Sequence, residues 1–511
     1  MVRDARQGGE VPRRAVHEGA QGHRREGAGG GGLAIRAGIG RPRFPATRAA
    51  ARLSSRGVGE NPGWARAKER QETKTMSDAG SRMTTPDRFD IRAPDFWSRP
   101  ALDRELRRVY DICNGCRRCL ALCPSFKDLM TSLDHEDVDG DAEALPAGDL
   151  RRVVDLCYQC KLCYNHCPYT PPHRWAVDFP RVMLRARAVQ TREAGGMTLQ
   201  DRALGNTELV GKLGSATASL SNWANSFRPH RVLVEKLLGI DRARNVPAFA
   251  RPRFSRWFAH EPAPGPASTA PTGRVALFAT CQVEYHTPAT GRAAVRVLRR
   301  NGVDVSRPPQ RCCGMPYLDG GGVEEARRQI DDNVRSLGAA VRDGRQIVVP
   351  GPTCSYMMKQ EWPWLATDRE TARLVAERTR DLFEYLAGLH AEGRLDTTFP
   401  VNPGRVAYQL PCHLRAQNMG TKSADVLRLT GADVTVIERC SAVDGTWGFK
   451  REYYELSMKV AEPLFREVRE ARPDRVATDC PLAGLQLAQG TGTAPRHPIQ
   501  ILAEAYGLPA D

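Results

Sequence analysis

Residues 106–124, LRRVYDICNGCRRCLALCP, return 44 positions later as residues 150–168, LRRVVDLCYQCKLCYNHCP. Each copy contains the pattern C-x2-C-x2-C-x3-C-P, which supplies closely spaced thiolates of the kind that hold iron–sulfur clusters. The eight cysteines are Cys113, Cys116, Cys119 and Cys123, followed by Cys157, Cys160, Cys163 and Cys167. The repeat therefore predicts a metal-binding domain rather than a disulfide-bonded one.

The spacing also predicts how the thiolates are shared between two clusters. Three cysteines that are two residues apart can surround one cluster, whereas the fourth, set apart by three residues and a proline, reaches the neighbouring cluster. One predicted 4Fe–4S cluster is held by Cys113, Cys116, Cys119 and Cys167, and the other by Cys157, Cys160, Cys163 and Cys123. Zinc is the alternative, but zinc modules usually present their four ligands in two separated pairs.

Helical segments are predicted on both sides of the cysteine runs. Apolar residues at helical spacing lead into each run, and residues 177–190 continue the pattern after the second. The 33 residues between Cys123 and Cys157 are too many for a hairpin. The part 76–195 resembles the α-helical two-cluster ferredoxin domain of succinate dehydrogenase iron–sulfur subunits.

Three basic residues, Arg117, Arg118 and Lys161, lie inside the cysteine runs. Positive charge beside a cluster favours its reduced form and raises its reduction potential. The alternative is that all three are ordinary solvated surface charges.

The composition indicates a cytoplasmic protein in a reducing compartment. The chain of 511 residues has 15 cysteines, an odd number concentrated in tight runs, whereas secreted scaffolds spread an even number through loops. No stretch approaches the roughly 20 apolar residues of a membrane helix, so any membrane association is expected to be peripheral. Of the formal charge of +16, residues 1–75 contribute +9 (16 Lys/Arg against 7 Asp/Glu), and we expect no nucleic-acid partner.

Residues 1–75 are rich in Arg, Gly and Ala and lack apolar periodicity, which predicts a disordered segment. Met76 and Met83 offer later starts, so a true start near Met76 is one expectation for this region. An RNA-binding tail and a transit peptide are the alternatives.

Residues 196–260 predict a helical connector, and residues 261–273, EPAPGPASTAPTG, a linker. Within the connector, the segment HRVLVEKLLGIDR carries a partly apolar stripe that includes Leu233 and Leu237. We expect this stripe to pack into the core. A face for a partner or for a membrane surface is the alternative.

Beyond the linker, short apolar segments alternate with helical ones, and the layout occurs twice. Strands are predicted in RVALFATC, VDVSRPPQRCC and QIVVPGPTC, and then in RVAYQLPCH, ADVTVIERCS and RVATDCPLAG. This alternation predicts two α/β repeats with parallel sheets, residues 274–396 and 397–511. Gly302 and Gly431 are expected to end the helices that precede the second strand of each repeat.

The other seven cysteines follow predicted strands, at the end where parallel sheets collect ligands. The first repeat contains Cys281, the adjacent pair Cys312 and Cys313, and Cys354, and the second contains Cys412, Cys440 and Cys480. This arrangement resembles the cysteine-rich CCG domains of the family that includes heterodisulfide reductase B subunits and anaerobic glycerol-3-phosphate dehydrogenase C subunits. The resemblance implies a multidomain fold, with an α-helical two-cluster ferredoxin domain followed by a duplicated α/β CCG domain.

Both repeats depart from the family motif, because neither Cys354 nor Cys480 is followed by a second cysteine three residues later. The second repeat also has Ser441 where the adjacent cysteine would be. The first repeat keeps four thiols, enough for a further iron–sulfur cluster or a zinc ion, whereas the second keeps three and has His413 as a conceivable fourth ligand. A third centre is therefore expected in the first repeat.

The resemblance implies an iron–sulfur electron-transfer subunit. Electrons would pass from a partner dehydrogenase or flavoprotein, through two 4Fe–4S clusters, to a quinone or a protein acceptor. No strand–turn–helix with G-x-G-x-x-G and no P-loop occurs, so we expect no flavin, NAD or ATP site. Two alternatives are open: a thiol/disulfide reductase of the heterodisulfide type that acts at the CCG site, and a non-enzymatic zinc or iron–sulfur interaction protein.

Overall fold

The computed structural model describes residues 89–262, 271–443 and 445–509. The predicted disordered segment 1–75, its alternative starts at Met76 and Met83, and most of the predicted linker lie outside these residues. The described chain begins with helices and continues into two small parallel sheets flanked by further helices.

The cysteine runs lie among helices. These are α1 (Pro94–Trp97), α2 (Arg99–Cys116), α3 (Pro124–Leu133), a 3-10 turn (Ala142–Ala144), α4 (Ala147–Leu156), α5 (Leu162–His166) and α6 (Phe179–Glu193). The apolar residues Leu102, Leu106 and Val109 of α2 are buried, as their helical spacing predicts. They join Phe126, Phe179 and six of the eight cysteines in one hydrophobic cluster.

The two cysteine runs have different backbones despite their similar sequences. α2 continues to Cys116 and ends where Arg117 has a φ of 52°, and Pro124 then begins α3. In the second run α4 ends at Leu156, before the first cysteine, and Lys161 has a φ of 65° at the start of α5. The second run therefore forms mostly an irregular loop.

The connector forms α7 (Leu199–Gly205), α8 (Thr207–Ala216), α9 (Ala218–Ser226), α10 (Arg228–Leu238) and α11 (Phe254–His260). The prediction that the stripe in α10 packs into the core is wrong, because Leu233 and Leu237 are 53% and 64% exposed. The buried residues of α10 are instead Arg231 and Glu235. Arg231 donates hydrogen bonds to main-chain carbonyls after the helix, and Glu235 pairs with Arg242, so the polar side of the helix faces inward.

The first α/β repeat contains a four-stranded parallel sheet in the order β2-β1-β3-β4. Its elements are β1 (Gly273–Leu277), α12 (Cys281–Tyr285), α13 (Pro288–Arg300), β2 (Val303–Ser306), α14 (Met315–Asp319), α15 (Val323–Arg342), β3 (Gln346–Val349), α16 (Pro352–Tyr356), a π-helical turn (Met357–Glu361), α17 (Trp362–Leu365), α18 (Arg369–Arg378), β4 (Thr379–Asp381) and α19 (Leu382–Ala391). Strand β4 was not predicted from the sequence, because only three residues form it.

The second repeat contains a three-stranded parallel sheet in the order β6-β5-β7. Its elements are β5 (Arg405–Gln409), α20 (Cys412–Ala416), α21 (Lys422–Arg428), β6 (Asp433–Ile437), a 3-10 turn (Trp447–Phe449), α22 (Tyr454–Glu470), β7 (Arg475–Ala477), α23 (Pro481–Thr491) and α24 (Pro498–Ala505). The predicted βα alternation and the parallel sheets are confirmed. In both repeats the first strand lies between the second and the third strand in the sheet.

Glycines end the helices before β2 and β6, as predicted. Gly302 and Gly431 have φ values of 72° and 81°. This left-handed region is unfavourable for residues that have a Cβ atom. Their N–H groups donate to the carbonyls of Arg299 and Arg428. None of the helices in the described part of the chain combines the length and the apolar character needed to cross a membrane.

The two repeats share one hydrophobic core. Val275 and Leu298 of the first repeat belong to the same buried cluster as Val406 and Ile501 of the second. The C-terminal helix α24 packs against α13, and the Tyr506 hydroxyl donates to the carbonyl of Asp396. The two repeats therefore stabilise each other and do not form two independent hydrophobic cores.

His497 caps α24 in a way that makes this packing sensitive to acid. Its Nδ1 accepts a hydrogen bond from the N–H of Ile499 at 3.1 Å, and burial lowers its pKa to about 3. An unfolded histidine titrates near 6.5, so below about pH 6.5 the unfolded chain binds a proton that the folded chain does not. Stability is therefore lost as the pH falls from about 6.5 towards 3.

We expect His497→Asn to weaken this pH dependence, because asparagine keeps a capping acceptor but does not titrate. Urea unfolding midpoints at about pH 7 and pH 5 measure the effect, and the variant should lose less stability between them than the wild type. His390→Asn, at an exposed histidine, is the control and should behave like the wild type. Equal losses in all three proteins would contradict the assignment to His497.

Candidate iron–sulfur site

The first cysteine group lies where α2 ends. Cys113, Cys116, Cys119 and Cys167 line one small cavity, so the structure brings the fourth cysteine of the second run to the first three of the first run. Burial raises the pKa of Cys113 well above that of a free thiol, and the nearby thiols of Cys119, Cys167 and Cys116 raise it further. Burial likewise raises the pKa of Cys119 to about 11.

The second cysteine group has the reciprocal composition. Burial raises the pKa of Cys163 well above its ordinary value, and the thiols of Cys160, Cys157 and Cys123 add to the effect. Burial, with Cys157 as the next cause, raises the pKa of Cys123 to about 12. The thiol of Cys119, in the first group, also raises the pKa of Cys163. The two groups are therefore neighbours.

Arg117 and Arg118 are exposed beside the first group, as expected for solvated charges. Arg117 donates to Asp134 at 2.5 Å and to Asn114, and the Arg117 guanidinium holds the pKa of the Asp134 carboxyl below its usual value. Its charge is therefore largely balanced within the chain.

Lys161 differs from the two arginines, because its side chain is only 1% exposed. Its Nζ donates to Oε1 of Gln159 at 2.6 Å, lies 4.0 Å from Oε1 of Glu361, and lies 5.8 Å from the centre of the Tyr356 ring. The surface-charge alternative is therefore wrong for Lys161. Its buried positive charge also lowers the pKa of Cys157, a cysteine of the second group, against the larger effect of burial.

Glu361 is the acidic partner of this buried cation and comes from the first α/β repeat. Burial acts to raise its pKa, but Arg181 and Lys161 hold the pKa below its ordinary value. Arg181 Nε lies 3.6 Å from Glu361 Oε2, and Arg181 also faces Asp178 at 3.6 Å. Glu361 belongs to a π-helical turn and was not predicted, because nothing in its local sequence marks it as a partner of Lys161.

His413 joins the second repeat to the same loop. Its Nδ1 lies 2.8 Å from the Thr353 hydroxyl, and its Nε2 lies 3.2 Å from the main-chain carbonyl of Gln159. Its ring also stacks on Tyr356. With both ring nitrogens in hydrogen bonds to protein, the geometry favours a packing role over the metal-ligand role that the sequence left open.

The four cysteines of the first repeat lie together at the carboxyl ends of β1, β2 and β3. The Cys281 thiol interacts with Cys312, Cys312 with Cys313, and Cys313 with Cys354. Hydrogen bonds from Cys281 and Cys313 lower the pKa of Cys312 well below its ordinary value, against the effect of burial. The four thiols therefore lie close enough to interact in one continuous series.

The main chain around the adjacent pair is firmly held. Trp362 Nε1 donates to the carbonyl of Cys313 at 2.9 Å, and Asn333 Nδ2 donates to that of Cys312 at 3.0 Å. Gly314 has a φ of 93°, and a Cβ atom there would lie 3.3 Å from the carbonyl oxygen of Ala326. Glycine at this position therefore allows the backbone turn that brings Cys312 and Cys313 close to Cys281 and Cys354.

The cysteines of the second repeat also follow strands, but they have different surroundings. Cys412 is the first residue of α20 after β5, and Cys480 is the residue immediately before α23, after β7. Cys440 follows β6, and its Sγ lies 3.3 Å from the Tyr158 hydroxyl in the helical part of the chain. The Cys440 thiol also raises the pKa of Cys123. Cys440 thus faces the second cysteine group, a contact that sequence spacing did not predict.

Within residues 89–262, 271–443 and 445–509, no three His, Cys, Asp or Glu side chains converge at the spacing of a single-metal site.

Family models match both parts of the chain. Residues 106–193 match the citrate utilization protein B Fer4-like domain, and residues 275–359 and 406–488 each match the cysteine-rich CCG domain. The first match contains both cysteine groups, and the other two cover β1 to β3 and β5 to β7 almost completely, whereas β4 lies outside them.

Among similar proteins is the C subunit of the anaerobic glycerol-3-phosphate dehydrogenase of Escherichia coli K12, with 31% identity over 316 residues, 60% of this chain and 77% of that protein. Lactate utilization protein A of Geobacillus thermodenitrificans is 25% identical over 219 residues, 40% of this chain and 87% of that protein. The B subunit of the fumarate reductase (CoM/CoB) of Methanothermobacter marburgensis is 27% identical over 222 residues, 42% of each chain. A Fer4-like domain followed by two CCG domains, together with the extent of the first similarity, shows that the chain belongs to the family of anaerobic glycerol-3-phosphate dehydrogenase C subunits.

Proposed function

We propose that this protein is the iron–sulfur subunit of a dehydrogenase or reductase complex and relays electrons through two 4Fe–4S clusters. The observation that carries the proposal is the exchange of cysteines between the two runs, with Cys167 in the first group and Cys123 in the second. Crossed ligation of this kind is typical of paired 4Fe–4S clusters, in which the fourth cysteine of each run serves the other cluster.

The residues suit such clusters chemically. Each group offers four thiols, and apolar side chains such as Phe126 and Met130 surround the first. Bound clusters would supply one-electron redox chemistry. Because ligation requires thiolates and burial raises the pKa of these thiols, loading of the groups should release protons and be favoured at higher pH.

The contacts of the second group support an order of centres along the relay. Arg187 donates to the carbonyls of both Cys157 and Asp319, and Asp319 ends the helix that follows the Cys312–Cys313 pair. The second group therefore lies closer to the α/β repeats than the exposed end of the first group does. We infer a path from a partner dehydrogenase or flavoprotein through the two groups to a centre held by Cys281, Cys312, Cys313 and Cys354, and then to a quinone or a protein acceptor.

Metal analysis and EPR spectroscopy of anaerobically purified protein test the proposal. Two clusters correspond to about eight irons per chain, and a third cluster in the first repeat raises the number to about twelve. Stoichiometric zinc without a reducible centre would overturn the electron-transfer function. The same proposal includes a partner enzyme and an electron acceptor, which co-purification tests. It also includes a cytoplasmic location, at most peripheral on a membrane, which cell fractionation tests.

The crossed assignment makes a specific prediction for Cys167. We expect Cys167→Ser and Cys113→Ser to lose about four irons each and to share one residual EPR spectrum, because both remove a ligand of the first cluster. Cys163→Ser should leave the other spectrum. If the residual spectrum of Cys167→Ser instead matches that of Cys163→Ser, each run holds its own cluster and the crossed assignment is wrong.

A third centre in the first repeat is tested by Cys313→Ser. We expect this variant to fall from about twelve irons to about eight, because it removes one of four clustered thiols. Cys412→Ser, at a cysteine of the second repeat, is the matched control and should retain the wild-type content. A wild-type content of about eight irons, unchanged in Cys313→Ser, would leave the first repeat without a cluster.

The buried cation predicts two opposite shifts of reduction potential. Lys161→Met should lower the midpoint potential of the second cluster, because it removes a positive charge that favours the reduced form. Glu361→Gln should raise the potential, because it removes the compensating negative charge. Redox titration followed by EPR measures both, with Arg118→Gln, at an exposed arginine, as the control that shifts the second cluster least. Shifts of the same sign in both buried-site variants would point to a general structural disturbance instead.

A further inference from the structure

The connector reaches the first α/β repeat with the tight corner between α7 and α8. Asn206 is the single residue between these helices, and it caps both of them. Its N–H donates to the carbonyl of Arg202 in α7, and its side-chain oxygen accepts a hydrogen bond from the N–H of Leu209 in α8. Because both helix ends are satisfied by one residue, the direction in which α8 begins is fixed. Thr207, the first residue of α8, therefore has a defined position.

The corner packs on the part of the first repeat that carries the thiols. α8 contacts α12, whose first residue is Cys281, and α7 contacts α14. A Cβ atom at Gly205, the last residue of α7, would lie 2.5 Å from the ring of Tyr317 in α14. The Glu208 carboxylate lies 3.5 Å from the guanidinium of Arg311, the residue before the adjacent cysteine pair. The start of α8 is therefore held close to these cysteines.

The Thr207 hydroxyl lies beside two of the four sulfur atoms. Its oxygen is buried, and within the described ranges of the chain it makes no hydrogen bond of ordinary geometry. Neighbouring thiols and burial act most strongly on the pKa values of Cys281 and Cys312, and the Thr207 hydroxyl adds a lowering effect on both. A hydroxyl has this effect when it can donate to the charged form of the thiol. The thiols are therefore the partners that this buried donor can reach.

The charges around the hydroxyl also favour negative charge on sulfur. Glu208 is the acidic neighbour of Thr207, and its carboxylate is paired with Lys212 at 2.6 Å as well as with Arg311. Because α8 begins at Thr207, the positive end of its helix dipole lies on the same side as the thiols. The hydroxyl and the helix end thus act in the same direction.

We propose that Thr207 raises the reduction potential of the third centre by donating its hydroxyl hydrogen to the cysteine sulfurs beside it, Cys281 and Cys312. This role rests on the third centre of the proposed function. One-electron reduction adds negative charge to a cluster and its thiolate ligands, and hydrogen bonds to the sulfurs stabilise that charge. Since the donor belongs to the connector, the centre has its full potential only with the connector in place on the first repeat.

Redox titration of the full-length, anaerobically purified protein, followed by EPR, tests the proposal. Thr207→Val keeps the shape of the side chain but removes the donor. We expect it to lower the midpoint potential of the third centre by about 59 mV, which corresponds to a tenfold shift of a one-electron equilibrium. Thr207→Ser keeps the hydroxyl and should stay near the wild-type potential. Equal shifts in the two variants would indicate a general disturbance and would overturn the proposal, as would a wild-type potential in Thr207→Val.

A threonine at the other end of the same helix provides the matched control. Thr217 directly follows α8, and its hydroxyl donates to the carbonyl of Leu213 at 3.0 Å. Thr217→Val therefore makes the same chemical change away from the thiols, and it should leave every midpoint potential at the wild-type value.

Electron–nuclear double resonance of the reduced third centre gives a second readout. The wild type and Thr207→Ser should share a coupling to an exchangeable proton that is lost in D2O and is missing in Thr207→Val. If Thr207→Val does not load the centre, the wild type and Thr207→Ser decide, and absence of the exchangeable coupling from both would overturn the proposal.

Iron content separates the role of Thr207 from the proposed function. About twelve irons per chain, with a wild-type potential in Thr207→Val, would overturn the role of Thr207 alone. About eight irons, unchanged in Cys313→Ser, would exclude the third centre and the role of Thr207 together, while the relay through two clusters would stand.

Discussion

The buried ammonium group of Lys161 is the constraint on which the arrangement of the three parts depends. A cation enclosed in protein is stable only when charged and polar partners replace the water it has lost. Here Gln159 comes from its own loop and Glu361 from the first repeat, while His413 of the second repeat holds the Gln159 carbonyl. The loop of the second cysteine run can therefore be buried only with both repeats in place, and removal of one partner of such a pair costs about 3–5 kcal/mol.

This constraint gives the two cysteine groups different environments. The first lies beside exposed arginines near the surface, whereas the second lies under the repeats, with Tyr158 and Cys440 on one side and Arg187 on another. Two similar sequences thus occupy different electrostatic surroundings. Under the proposed function, the two clusters would therefore have different reduction potentials.

The second repeat has the α/β scaffold of the first with three cysteines instead of four. Its sheet retains the parallel order of the first, and α24 completes the core of the first repeat by packing on α13. Trp447 donates to the carbonyl of Asp155, and Asn165 donates to that of Arg415, so the second repeat also covers the cysteine loop. These contacts hold the fold of the second repeat, which has Ser441 after Cys440 instead of the adjacent cysteine pair of the first repeat.

The sequence by itself determined the features that depend on local spacing: the two cysteine runs, the parallel βα alternation, and the glycines before β2 and β6, each set by the reach of a few residues. Only the tertiary structure decided that Lys161 is buried with Glu361, that Cys440 faces Tyr158, and that Leu233 and Leu237 lie outside. Helical periodicity shows that one side of a helix is apolar, but which side is covered depends on the neighbouring elements, here the carbonyls of Asp241 and Arg244 that accept hydrogen bonds from Arg231 on the inner side of α10. Partners separated by hundreds of residues leave no trace in local spacing, because their interaction exists only after the chain has folded.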